Sequence, residues 1–277
     1  MPKSKHPPID VLLDLMRDDN IRVATLAMEQ MLKLGKDADH ALAEYQEDTD
    51  PRLRGRIHQL GAIIARRRAR ERFLEAVRNE TISLWSGVVE INVLYDPECS
   101  TASIDDTMDE FVAEAPTDSP TAPAVASYMR ELQFAFPDED TLDIDLYLIE
   151  RVMGTRFGSP ALLCALARTL GERIGWQATV VLHEGRFCLI DEDGYVMDPG
   201  AGWHLSRLRS EDRFHPCGRR DVWLGILAQI FVIALVDGNL RDLHHFGDLV
   251  TSLDGGTAET LPYPLGETGV PPEQSEI

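Results

Sequence analysis

The chain has 277 residues, of which 44% are hydrophobic, and a formal net charge of −20. That is enough apolar material for one large or two modest domains, and a chain this acidic opposes nucleic acid and anionic membrane surfaces. The longest apolar run (residues 222–236) contains Gln229 and falls short of a bilayer span, no apolar stretch follows Met1-Pro2-Lys3, and Cys99, Cys164, Cys188 and Cys217 form neither a CxxC nor a metal-ligand spacing, which together predict a cytoplasmic protein with reduced thiols and without signal peptide, metal or cofactor.

In chain order, residues 8–17 read as a first helix, with Ile9, Val11, Leu12, Leu15 and Met16 at helical spacing. Asp18-Asp19-Asn20 is a turn and cap. Residues 21–34 form a second helix ending at Gly35, and residues 37–45 a third. These phrases resemble a HEAT-type helical pair, in too few copies for a solenoid, so a short helical cap is expected over residues 1–79.

Residues 51–79 form the most basic helix: nine arginines against Glu71 and Glu75, a net +7, leaving −27 on the rest of the chain. Two readings apply. The stretch 52–78 is a docking surface for an acidic partner or nucleic acid, or its arginines pair with the protein's own acids, such as Asp105, Asp106, Asp109 and Glu110. Self-pairing is preferred, because the acidic remainder opposes polyanions.

Residues 81–94 are helical up to Tyr95-Asp96-Pro97. An acidic amphipathic helix runs to Glu114, a Pro/Ser/Thr connector covers 116–123, a further helix covers 125–136, and an acidic loop spans 138–145. Residues 144–153 lead into RFGSPALLCALARTLGERIG at 156–175. There Ser159 is an N-cap, Pro160 suits the first helical position, and Gly175 ends the helix. Leu162, Leu163, Leu166, Ala167, Leu170 and Ile174 mark it as largely buried. Two strand-like runs follow, QATVVLHEG and RFCLIDEDGYVMDPGAG, the second a hairpin turning at Glu192-Asp193-Gly194. Residues 202–218 read as irregular. Residues 221–253 read as two helices around Asp237-Gly238-Asn239, and this pair resembles one tetratricopeptide unit. Residues 254–277, rich in Gly, Pro and Glu, read as a disordered tail.

The glycine turn, buried helix and strands ending in Asp-Pro resemble the transglutaminase-like, papain-like fold. The nearest likeness is to its bacterial SirB-type branch, whose members look like "RRGxPxxLxxLYxxLAxRxG" followed by "GHF" and "DPFNGG". This chain offers RFGSPALLCALARTLGERIG, EGRFCLI and MDPGAGW. The resemblance covers residues 80–253 and implies an α+β fold: a transglutaminase-like core at 80–220, a helical N-terminal region and the C-terminal hairpin.

In active members the resemblance implies a Cys at the helix start, a His on the next strand and an Asp on the one after. Here those positions hold Pro160, Arg186 and Asp198. Proline carries no nucleophile, and a guanidinium does not accept a proton. The expectation is a non-catalytic core in which Arg186 and Asp198 form an ion pair, or, with Trp203, line a ligand pocket. A displaced nucleophile is the competing reading: Cys164, one turn further along the helix, with His183 and Asp198. Counting by strand alternation places His183 on the opposite face from Arg186. His204, His215 and the pair His244-His245 lack metal spacing with the cysteines. The sequence therefore predicts a binding or regulatory module for a protein partner. A cysteine hydrolase or acyl transferase using Cys164 stands second, and a structural subunit of an assembly third.

Overall fold

The computed structural model describes residues 7–116, 120–137 and 142–256. It divides into two compact units, residues 1–72 and 73–277. Parts of the expected connector and acidic loop lie outside the described residues, as does the expected tail from residue 257 on.

The first unit is helical: α1 (Ile9–Leu15), α2 (Ile21–Leu34), α3 (Asp39–Glu44) and the first part of α4 (Pro51–Arg78). Asn20 caps α2 by accepting from the Arg22 N–H, and Gly35 ends it with φ 58. That positive φ favours glycine. The apolar stripes meet in a core containing Leu12, Met16, Met31, Leu53, Ile57 and Leu60. The arginines of α4 find acceptors close by. Arg52 pairs with Asp19, and Arg54 donates to the Asp48 carbonyl at 3.1 Å. Arg56 donates to the Met16 and Asp18 carbonyls, and Arg68 reaches both oxygens of Asp39 at 2.6 Å. The acids named from the sequence are engaged differently. Asp105 accepts from the Trp85 indole at 2.8 Å, and Asp109 pairs with Arg173.

The second unit contains α5 (Leu84–Tyr95), α6 (Thr101–Glu114), α7 (Ala122–Glu131), α8 (Ile149–Thr155) and α9 (Pro160–Ile174). These are followed by strands β1 (Ala178–His183), β2 (Arg186–Asp191), β3 (Tyr195–Asp198), β4 (His204–Arg207) and β5 (Phe214–Pro216). Helices α10 (Arg219–Asp237) and α11 (Leu240–Asp254) close the unit. The sheet is antiparallel throughout, in the order β4-β3-β2-β1-β5. Two strands were absent from the expectation. Residues 204–207 and 214–216 are mostly exposed edge strands, so they lack the alternating apolar pattern that reveals a half-buried strand. The helix expected over 125–136 starts earlier, behind the Thr121 cap, and stops at Glu131. Gln133 then takes φ 64, and Ala135 bridges Phe157.

Helix α9 is the axis of this unit. Ser159 caps it by accepting from the Leu162 N–H, and Gly175 ends it in the left-handed region. Leu162, Leu163, Leu166 and Leu170 are all fully buried. Truncating any one of them to alanine costs on the order of 2–5 kcal/mol. Helix α10 also presses on its neighbours. Trp223 lies where a Cβ on Gly87 would sit, 2.2 Å away, and its indole donates to the Leu84 carbonyl at 3.1 Å. Position 87 therefore admits only glycine without a shift of the indole.

Candidate functional site

The start of α9 is fixed from three directions. The Ser159 N–H donates to the Leu146 carbonyl at 2.8 Å, the Gly158 N–H to Ala135 at 3.0 Å, and the Ala135 N–H to Arg156 at 2.9 Å. Arg156, at φ 72, ends α8 and turns the chain. Its guanidinium lies 4.5 Å from the Phe111 ring centroid and 5.0 Å from that of Phe134. Burial lowers its pKa from the ordinary value, and the negative ring faces stabilise the charge there. In the sequence, only its place directly before Phe157-Gly158 marks Arg156 as a turn residue.

Asp198 ends β3 and is buried. One carboxylate oxygen, Oδ2, forms an ion pair with Nη1 of Arg186 at 3.1 Å. The other, Oδ1, is buried and has no hydrogen-bond partner among the described residues. It lies 3.2 Å from where a Cβ on Gly200 would stand, and the Pro160 ring is 3.6 Å from the same point. Pro160, Arg186 and Asp198 thus gather at one place, between the first residue of α9 and the turn after β3. The Arg186 side chain remains 53% exposed, against 11% for Asp198, so the pair lies half in solvent. A side chain at position 200 would press on the carboxylate, which gives Gly200 a steric reason to be small.

Cys164 is a different case. It is fully buried. Burial, with the charges of Cys188, Asp198 and Cys217 adding to it, holds its pKa well above the ordinary thiol value. Cys188 is pushed up to about 12, chiefly by burial and then by Asp198. A thiol is nucleophilic as thiolate, and these groups hold their protons. Among the described residues no hydrogen bond joins Cys164, His183 and Asp198.

His183 corrects the strand count. It and Arg186 are cross-strand partners flanking the two-residue turn Glu184-Gly185, with φ 50 and 80. Partners in an antiparallel pair project to the same face, so the two side chains share a face. Alternation along one strand does not carry across a hairpin turn.

Trp203, expected as a possible ligand contact, is wholly buried. Its indole donates to the Phe134 carbonyl at 2.6 Å, and its own carbonyl accepts from Arg130 at 3.3 Å. It acts as a wedge locking the turn after β3 to the end of α7. Among the described residues no group of three or more His, Cys, Asp or Glu is placed to hold a metal ion. None of the described helices is long and apolar enough to cross a membrane.

A capped helix abuts an antiparallel sheet here, with its first residue beside the Asp that ends a strand. Residues 100–221 match the family model of the transglutaminase-like superfamily, so this part of the chain is similar to that superfamily. The match is narrower than the 80–253 expected from motif likeness; α5 and the α10–α11 hairpin lie almost wholly beyond it. No curated protein and no solved structure matches the chain.

Proposed function

We propose that the transglutaminase-like domain is a non-catalytic binding or regulatory module for a protein partner, and that it descends from the SirB-type branch. The observation that carries this reading is the ion pair of Arg186 with Asp198 beside Pro160. By the likeness of motifs, an arginine stands where the base would be and a proline where the nucleophile would be. The guanidinium occupies the orienting carboxylate and cannot take a proton. The half-exposed Arg186, the exposed Glu184 and the exposed edge strand β4 form the accessible surface of this end of the domain.

Two measurements test the reading. Incubation with an activated acyl ester, followed by mass spectrometry, should leave Cys164 unmodified; an acyl adduct on Cys164, absent from Cys164→Ala, would establish the hydrolase or acyl-transferase reading instead. A photo-crosslinking residue at Glu184 should capture a defined protein that the same residue at Arg67 does not. Equal capture at both positions would contradict a partner at the former active-site face.

A further inference from the structure

A second site lies away from the Arg186–Asp198 face. A pocket of about 550 Å3 opens between the end of α4, the segment 79–83, the start of α10 and the end of α11. That volume is within the range of small-molecule sites, roughly 300–1,000 Å3. Leu74, Val77 and Leu253 supply apolar wall. Arg78, Arg219 and Arg220 supply three positive charges, against the single carboxylate of Glu80.

The three arginines are not equivalent. Arg219 is structural: its Nη1 donates to the Ile82 carbonyl at 2.5 Å, tying the start of α10 to the segment before α5. Arg78 and Arg220 are exposed and, among the described residues, have no hydrogen-bond or ion-pair acceptor. In a chain of net charge −20 an arginine has many carboxylates to choose from. On α4 itself, Arg52 and Arg68 pair with aspartates. Two guanidinium groups without a protein acceptor thus line one apolar-walled cavity, and an oxyanion is the group they would complement. The guanidinium fork matches carboxylate and phosphate oxygens, and a charge-assisted pair at a partly desolvated site binds more strongly than one in open water.

We propose that this pocket binds a small organic dianion, a phosphate monoester or a dicarboxylate. Arg78 and Arg220 hold its charged end, and its carbon skeleton lies along Leu74, Val77 and Leu253. The site's net charge of about +2, three arginines less one glutamate, matches such a ligand. The Glu80 carboxylate in the lining disfavours a ligand carrying negative charge along its whole length, which selects a compact anion over an extended acidic chain.

The test is calorimetric titration of the full chain with phenyl phosphate and, separately, with succinate, at constant ionic strength set by chloride. Saturable one-site binding of either probe is expected, and the stronger probe assigns the ligand to esters or carboxylates. Arg78→Gln and Arg220→Gln should each weaken it tenfold or more, the usual scale for losing one charge-assisted contact. Arg67→Gln, on the basic helix but outside the pocket, should leave it unchanged. Both key side chains are exposed, so neither variant threatens folding. No saturable heat with either probe up to about 10 mM would overturn the proposal, since binding that weak is below any functional range. Undiminished binding in both Arg78→Gln and Arg220→Gln would overturn it as well.

Discussion

The first residue of α9 and its second turn divide between them what a thiol enzyme needs in one place. At the first residue, Pro160 stands beside Asp198 and the half-exposed Arg186: there is access and charge, but no nucleophile. One turn on, Cys164 is a nucleophile sealed from solvent, with burial holding its proton on. A separation of about 6 Å along a helix is enough to part reactivity from access. The lesson is that a cysteine in a family's helix says little until its depth is known.

The sharpest way to break this comparison is alkylation. Cys164 should react with iodoacetamide at neutral pH about a thousandfold or more slower in the native than in the denatured chain, read by mass spectrometry. Pro160→Cys should place a thiol at the half-buried helix start and be labelled at least about a hundredfold faster than Cys164. A native Cys164 rate near the denatured one would erase the distinction.

A second contrast concerns the ion pair. Arg186→Ala removes the one ion-pair partner, among the described residues, of a carboxylate that is nearly nine-tenths buried, and should destabilise by about 1–3 kcal/mol. Asp198→Asn leaves an arginine that is half exposed and free to hydrate, and should cost less. Chemical denaturation of the two variants decides; a larger loss for Asp198→Asn would reverse the order of burial.

The thiols add a pH dependence. The pKa of Cys188 is raised to about 12, and those of Cys164 and Cys217 are also raised. Above the ordinary thiol value the unfolded chain loses these protons while the folded chain keeps them, so it binds fewer protons than the native state. Stability should therefore be full below about pH 8.5 and fall as pH rises toward 12. Melting temperature against pH measures this, and Cys188→Ala should flatten the slope.

The smallest effect belongs to the exposed pair Arg68–Asp39, with both side chains 40% exposed. Arg68→Gln should cost about 0.2–1 kcal/mol, and added salt should mask it. It serves as the surface reference against which the Arg186–Asp198 pair is judged.

Much of this architecture is written locally. Ser159, Pro160 and Gly175 mark both ends of α9, and Asp237-Gly238-Asn239 marks the turn between α10 and α11, because caps and turns depend on adjacent residues. The coming together of Pro160, Arg186 and Asp198 followed from motif likeness, not from any local rule. What stayed hidden depends on distant partners. β4 and β5 are exposed edge strands with no periodicity to read. The helix expected to run to residue 136 stops at Glu131, before Gln133 takes a positive φ. The shared face of His183 and Arg186 depends on a turn whose length, two residues, resets the alternation. The Arg78–Arg220 pocket joins residues 142 positions apart in the chain, which no window of sequence displays.

The Trp203 wedge has a consequence for biosynthesis. Its indole closes on the Phe134 carbonyl 69 residues upstream, and Trp223 reaches back 139 residues to Leu84. A chain emerging from the ribosome therefore presents α5 and the end of α7 long before their partners exist. Until Trp203 and then Trp223 have left the exit tunnel, Gly87 faces nothing and Phe134 keeps an open carbonyl. These contacts of the second unit can therefore close only when nearly all of it has been synthesised.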